Sequence, residues 1–101
     1  MIIGTVSFMV APGKNPEAMK YFHEVVREAK RLTGAELRIL TQLGGPLGHV
    51  VISGQYETIT AWNEMREKLS GDASFQKRVT EAGKDGLLIP GTTTSALWQQ
   101  I

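Results

Sequence analysis

The segment from Tyr56 to Val79 constrains the fold of this chain more than any other part of it. It follows a strand-like stretch and reads as two short amphipathic helices, split by Ser70-Gly71-Asp72. The first of these helices carries an apolar stripe formed by Ile59, Trp62, Met65 and Leu69. Three- and four-residue spacing places such residues on one face of a helix. The pattern therefore predicts a small domain whose second helical region is broken in two.

Length and composition limit the classes of protein to which the chain can belong. Its 101 residues predict one domain over residues 1–101. The absence of cysteine excludes disulfides and thiolate metal sites, and it fits a reducing compartment. A net charge of +1 with both signs dispersed argues against a nucleic-acid partner, and no apolar run approaches the roughly 20 residues that span a bilayer. We expect a cytoplasmic protein with neither nucleic-acid nor membrane partners.

The first forty residues predict a strand and a helix. Residues 2–10 alternate between apolar and polar positions, as a half-buried strand does. Pro12 and Gly13 then break the pattern, and Asn15-Pro16 predicts a helix with Asn15 as its N-cap. Gly34 is placed to end that helix, because glycine tolerates the left-handed conformation of a C-terminal cap.

Three further strands complete the predicted architecture. Two of them, over residues 35–43 and 49–55, flank a glycine-rich hairpin loop, and the third runs from residue 92 to residue 101. Between the split helices and the last strand, Leu87-Leu88-Ile89 is predicted to lie in a loose loop. The order is β-α-β-β-α(α)-β, which predicts an α+β, ferredoxin-like fold with an antiparallel sheet and helices on one face.

The two faces of the predicted sheet differ in character. The face under the helices should be apolar and should contain Val6, Phe8, Val10, Leu37, Ile39, Leu43, Val50 and Ile52. The opposite face is mixed, with Thr5, Ser7, Met9, Arg38, Leu40, Gln42, His49, Val51, Ser53 and Gln55. Such a face is too apolar for full exposure and too polar for a dry core. We therefore predict a homodimer joined through this face, with a monomer whose sheet stays partly wet as the alternative.

The segments Ile59-Thr-Ala-Trp62, Leu69-Ser-Gly-Asp72 and Ser74-Phe75-Gln76, after a strand that ends in Tyr56, resemble a known pattern. The whole chain resembles the dimeric α/β-barrel superfamily, and within it the NIPSNAP-like and antibiotic-biosynthesis-monooxygenase-like proteins. This resemblance implies two subunits joined sheet to sheet into a barrel. It implies little about function, because the same scaffold supports oxygenases, haem-degrading enzymes, isomerases and proteins without known activity.

Comparison with the haem-degrading members argues against haem. Trp62 matches the tryptophan that contacts their porphyrin, but the turn that should supply their histidine reads Phe75-Gln-Lys-Arg-Val79. Their first-strand asparagine is also missing, since Thr5, Ser7 and Met9 occupy that region. A metal site is not predicted either, because the two histidines lack ligand spacing. We expect neither cofactor nor metal.

A few side chains are candidates for a site, each with a plainer explanation. Arg38, His49 and Tyr56 are candidate catalytic groups, and Trp62, Phe22 and Arg38 are candidate ligand contacts. Trp62 equally fits core packing, and Arg38 could instead pair with Glu36. His49 could shuttle protons or simply occupy the rim of the sheet.

Three functions from different classes follow. The first is a homodimeric protein that binds a small apolar or aromatic molecule between sheet and helices. The second is a cofactor-independent monooxygenase or isomerase that acts on such a molecule. The third is a structural dimer with no ligand. The residues favour the first, because no two groups show the spacing of a nucleophile with its base or of an acid–base pair.

Overall fold

The computed structural model describes residues 1–101, with four strands and three helices in the predicted order. These elements are β1 (Ile2–Met9), α1 (Asn15–Thr33), β2 (Arg38–Thr41), β3 (His49–Tyr56), α2 (Ile59–Gly71), α3 (Ala73–Lys84) and β4 (Thr94–Gln99). The strands form one sheet in the order β2-β3-β1-β4, and every neighbouring pair is antiparallel. The predicted ferredoxin-like α+β architecture is confirmed.

Alternation along β1 and β3 assigns the side chains to the two faces of the sheet. Val6 is opposite Ile52 and Phe8 is opposite Val50 on the face that the helices cover. The intervening positions, such as the pair Thr5 and Ser53, lie on the uncovered face. This parity is the predicted one, because successive residues of a strand point to opposite faces.

The hydrophobic core lies between the helices and the covered face. Ala18, Phe22 and Val25 of α1 are buried there against Val50 and Ile52 of β3. The Phe22 ring centroid lies 5.2 Å from that of Phe8 in a tilted arrangement, a geometry that aromatic pairs favour. Among the other residues predicted to face inward, Val10 is buried, and Phe8, Leu37 and Ile39 pack against the core while partly exposed. The apolar stripe of α1 thus supplies three of the nine residues of the buried core cluster.

The helix ends differ from prediction by about one residue. Helix α1 begins at Asn15, and its N-cap is Lys14 without a side-chain cap, so the predicted Asn15 cap is wrong. Gly34 ends the helix with φ of +77°, as predicted. Between α2 and α3 only Asp72 is non-helical. Its carboxylate accepts a hydrogen bond of 2.8 Å from the Phe75 amide, which lets α3 begin with no intervening loop.

The strand ends show larger departures. Strand β2 covers only Arg38–Thr41 instead of residues 35–43, and the Leu43 side chain is 97% exposed, so its predicted inward position is wrong. Leu43 lies in the hairpin loop, where β2, an edge strand paired only with β3, has ended. Strand β4 is also shorter than its predicted span.

The segment predicted as a loose loop is more ordered than expected. Leu87 is buried in the core, and Leu88 forms an antiparallel bridge with Val10. The Ile89 amide donates a 2.8 Å hydrogen bond to the carbonyl of Met9. The segment therefore pairs with the end of β1 on the same side as β4, beyond the point where β4 begins at Thr94. No helix combines the length and apolarity that crossing a membrane requires.

Candidate functional site

A cavity of about 400 Å³ lies between the covered sheet face and the two short helices. Its floor includes Gly4 and Val6 of β1 with Ile52 and Gly54 of β3. Its roof includes Trp62, Met65 and Leu69 of α2 with Phe75 and Val79 of α3. The volume and the largely apolar lining are those of a small-molecule site.

Two glycines allow aromatic side chains of the cavity lining to lie close against the floor. Gly4 and Gly54 are directly opposite each other in the β1–β3 register. A Cβ atom on Gly4 would lie 2.8 Å from Nε1 of Trp62, and one on Gly54 would lie 2.5 Å from the Tyr56 hydroxyl oxygen. Distances this short are not tolerated between a carbon and another heavy atom. Any larger residue at either position would therefore displace one of these two aromatic side chains.

Trp62 forms one wall of the cavity and is half-buried. Its indole Nε1 donates no hydrogen bond within the protein, although no buried polar side-chain atom of the structure lacks a partner. The indole N–H is therefore reachable from solvent through the cavity. One helical turn later, the Arg66 guanidinium carbon lies 4.8 Å from the Trp62 ring centroid, a cation–π contact. Arg66 forms no salt bridge with any carboxylate of the chain.

Tyr56 lies at the end of β3 and is largely buried, with 9% of its surface exposed. Burial raises the pKa of its phenol above the ordinary value, because a low-dielectric environment disfavours the phenolate. The hydroxyl makes no hydrogen bond within the protein and, like the Trp62 nitrogen, stays in contact with the cavity. At neutral pH Tyr56 is therefore a neutral hydrogen-bond donor with no partner.

The roof is anchored mainly through α3. Phe75 is buried in the core, and Arg78 donates a 3.1 Å hydrogen bond to Glu24 of α1. Helix α2, by contrast, has no buried residue. Few buried contacts mean a low local free energy of opening. The α2 wall that carries Trp62 and Arg66 is therefore the part of the cavity best able to move.

The structure brings together only some of the side chains that the sequence nominated. Trp62 and Tyr56 both line the cavity. Phe22 is fully buried beneath it, in the core, and is not part of the lining. Arg38 and His49 lie on the uncovered sheet face, opposite Ser53 and Met9 respectively, so the sheet separates them from Trp62. The roles suggested for these five residues remain predictions.

Arg38 and His49, the two candidates on the uncovered sheet face, have few polar contacts. Arg38 makes no salt bridge, because the carboxylate of Glu36 pairs instead with Lys30 at 3.3 Å. His49 shares a hydrogen bond with the side chain of Gln42 through Nδ1. Neither side chain meets a second polar group suited to acid–base chemistry in these contacts.

Sequence reasoning missed three important parts of the cavity, although signals for them existed. Gly4 and Gly54 are isolated glycines inside strands, which often mark close approach of another group. Arg66 follows Trp62 by four residues, the spacing at which two helical side chains meet. The apposition of the two glycines, however, depends on a register between distant strands.

A second depression, between α1 and α3, differs in character. Its lining includes Lys14, Glu17, Lys20, Glu81 and Asp85, all of them exposed. Charges of both signs alternate there in water, where ion pairs contribute little. This depression lacks the apolar enclosure that a small-molecule site needs.

Solved structures of other proteins have the same overall fold. A NIPSNAP domain protein from Burkholderia xenovorans superposes with a TM-score of 0.81 at 22% identity, over 100% of this chain and 95% of that one. The chain shares the ferredoxin-like fold of this protein. A NIPSNAP family protein from Agrobacterium tumefaciens gives a TM-score of 0.79 at 20% identity, over 99% of this chain and 85% of that one.

A protein named for an activity has the fold as well. A putative antibiotic biosynthesis monooxygenase from Nitrosomonas europaea gives a TM-score of 0.73 at 14% identity, over 100% of this chain and 99% of that one. No protein-family model matches the sequence, and no curated protein is significantly similar to it. The predicted resemblance to NIPSNAP-like and monooxygenase-like proteins is thus confirmed for the fold.

Proposed function

We propose that the protein binds a small apolar or aromatic molecule in the cavity between the sheet and helices α2 and α3. The observation that carries this proposal is the mainly apolar cavity of about 400 Å³, whose lining includes Trp62 and Tyr56 where they lie against Gly4 and Gly54. A protein core is normally packed to the density of organic crystals. Here the two rings occupy the space directly above the glycines, and the cavity beside them is left unfilled by side chains.

The unpartnered donors support the same proposal. The Tyr56 hydroxyl and the Trp62 N–H face a mainly apolar cavity without protein acceptors. Small-molecule sites combine such an apolar lining with a few polar groups that orient the ligand. A ligand with an acceptor oxygen near these donors would satisfy both of them.

Binding is better supported than catalysis. The cavity lining contains no His, Asp, Glu, Lys or Cys side chain, so its Ser, Thr and Tyr hydroxyls have no general base beside them to activate them as nucleophiles. One neighbour in fold is named a putative antibiotic biosynthesis monooxygenase, and Tyr56 with Trp62 would be the groups to polarise a substrate in a comparable reaction. Without a base beside them, positioning a molecule is the function that this geometry serves best.

A cavity-filling substitution tests the proposal. Val79 of α3 lines the cavity and is 42% exposed, so Val79→Phe should project an aromatic ring into it with little effect on folding. The matched control is Thr80→Phe on the same helix, because Thr80 is exposed and outside the lining. Native mass spectrometry of protein purified from its own host should show a bound small molecule in the wild type and in Thr80→Phe only. Equal retention by Val79→Phe would refute the proposed site.

We also propose that the protein is a homodimer joined through the uncovered sheet face. The support is the apolar surface of that face, where Leu40 and Trp98 are 52% and 60% exposed. Leu40 is opposite Val51 in the β2–β3 register, and Trp98 is opposite Ile3 in the β1–β4 register. Leu40 and Trp98 lie on the two opposite edge strands, so a second sheet packed across the whole face would cover both exposed apolar side chains. A cytoplasmic location remains a prediction.

Light scattering after size exclusion tests this assembly and should give twice the chain mass at micromolar concentration. Ser53→Arg places a further cation beside Arg38 on the proposed interface, and in a symmetric dimer it does so twice. Burial of an unpaired charge costs several kcal/mol, so this variant should be monomeric. His23→Arg, on the exposed surface of α1, should leave the dimer intact. A dimer of unchanged affinity in Ser53→Arg would place the interface elsewhere.

A further inference from the structure

The charge of the cavity restricts the chemistry of its ligand. Arg66 is the only charged residue in the lining. It has no carboxylate partner in the chain. The site therefore has a net positive potential without any acidic side chain that would repel an anion. A cavity of this kind favours anionic ligands, because it offers them one positive charge and no negative charge.

The polar side-chain atoms near the floor are hydrogen-bond donors, which also suit an anionic ligand. The Tyr56 hydroxyl and the Trp62 N–H are free donors. Both rings approach one point above Gly4, since a Cβ there would lie 2.8 Å from Trp62 Nε1 and 3.6 Å from Tyr56 Cε2. The amide nitrogen of Gln76, another lining residue, is already engaged with the carbonyl of Leu69 at 3.1 Å. The Trp62 nitrogen lies over Gly4 and the Tyr56 hydroxyl lies over Gly54, so the two free donors lie above neighbouring positions of the floor.

The cation–π contact holds the Arg66 charge at the cavity mouth. The guanidinium carbon lies over the Trp62 ring, 4.8 Å from its centroid. The five N–H groups of a guanidinium form a planar fork that matches the geometry of a carboxylate. Arg66 itself is exposed, so the free protein carries no burial penalty for this charge.

We infer that the ligand is an amphipathic anion, with an apolar or aromatic body above the Gly4–Gly54 floor and one carboxylate or similar oxyanion held by Arg66. This inference rests on the proposed function and adds the chemical class of the ligand. A neutral apolar ligand would use the floor but would leave Arg66 without a role. A cationic ligand would meet Arg66 with no carboxylate to offset the repulsion.

Paired probes that differ only in charge test the inference. Isothermal titration calorimetry would compare 2-naphthoate with 2-naphthamide, and octanoate with octanamide, on the full chain. Each acid should bind roughly tenfold more tightly than its amide. This ratio lies between the contribution expected of an exposed ion pair and that of a desolvated, charge-assisted hydrogen bond. The preference should weaken as salt is added, because the charge lies at an exposed rim.

Variants of α2 assign the preference to one side chain. Arg66→Gln should lower the affinity for the acids roughly tenfold and leave the amides unchanged, and Arg66→Lys should restore part of the loss. Lys68→Gln is the control, because it removes the same charge from the same helix outside the cavity lining. Its affinities should match the wild type.

The outcomes separate this inference from the function on which it rests. Equal affinities for acids and amides would overturn the anionic ligand but leave a binding cavity for neutral molecules. Acid preference that survives Arg66→Gln would overturn the role of Arg66. Failure of all four probes to bind at millimolar concentration would overturn both the inference and the proposed function.

Discussion

Gly54→Ala offers the most direct test of whether a missing side chain in the sheet lets Tyr56 lie against the cavity floor. The added methyl carbon would lie 2.5 Å from the Tyr56 hydroxyl oxygen and 2.7 Å from Cδ2 of Leu37. Both of these side chains must therefore move to make room for the new atom. The backbone at Gly54 does not itself require glycine, since its φ is not positive.

The expected size of the effect follows from two opposing contributions. Replacement of glycine by alanine inside a strand is favourable by roughly 0.5–1 kcal/mol, because alanine loses less conformational freedom on folding. Extra atoms forced into an occupied space typically cost about 1–3 kcal/mol. Overpacking outweighs the entropic gain, and we expect a net loss of about 1 kcal/mol. For a domain of about 100 residues this lowers Tm by about 4–8 °C.

Urea denaturation measures this loss, and a second substitution identifies its cause. In a Tyr56→Phe background the nearest clashing atom is gone, although Cζ would remain at 3.0 Å. Gly54→Ala should therefore cost at least about 0.5 kcal/mol less in that background, a coupling typical of residues in contact. The midpoint should shift without a change in m, since the denatured state is unaffected.

Gly83→Ala provides the matched control for the same chemical change. Gly83 lies in α3, and a Cβ there would meet no atom within 4 Å. This variant should be stabilised by up to about 1 kcal/mol, the difference in helix propensity. If Gly54→Ala were as stable as Gly83→Ala, or if its cost did not depend on Tyr56, the proposed close packing of Tyr56 on Gly54 would be refuted.

Three further predictions concern the elements around the cavity. Asp72→Ala removes the cap on the Phe75 amide and should cost about 1 kcal/mol in urea denaturation, whereas Asp72→Asn should cost less; equal losses would mean that the cap is unimportant. The pKa values of Tyr21 and Tyr56 are both raised by burial, so absorbance at 295 nm should rise only above the ordinary tyrosine range near pH 10. The folded state then holds these protons to higher pH than the unfolded state, so stability should fall above about pH 10, less steeply in Tyr56→Phe; an equal slope would contradict this. Phe22→Leu should lower Tm while leaving 2-naphthoate affinity unchanged, because Phe22 is buried outside the cavity lining; weaker binding at unchanged stability would instead support its predicted role as a ligand contact.

The fold was predictable because it depends on parity and order. Alternation placed Val6 and Ile52 on the covered face whatever the exact strand ends, and both lie there. The ends themselves depend on pairing that local pattern does not show. Leu43 fits the alternation of β2 but lies in the loop, because β2 is paired on one side only and ends at Thr41.

The site was only partly predictable, for a related reason. Trp62 and Tyr56 could be nominated from their places around a strand end and a broken helix. Their apposition with Gly4 and Gly54 could not, since it requires the register of strands that are fifty residues apart along the chain. Arg38 illustrates the converse problem, because it was grouped with Trp62 by chemical type although its parity put it on the opposite face.

A cavity of this size would lower the stability of the protein greatly if it were empty. At about 24 cal/mol per Å³, an empty apolar void of 400 Å³ would cost about 10 kcal/mol. That is comparable to the whole stability of a typical domain, about 5–15 kcal/mol. The cavity avoids this cost by opening to water, as the exposed wall residues Val79 and Ser95 indicate. Water against an apolar wall is readily displaced by a better-fitting apolar body. The apolar walls of the cavity therefore supply a driving force for binding a molecule that displaces this water.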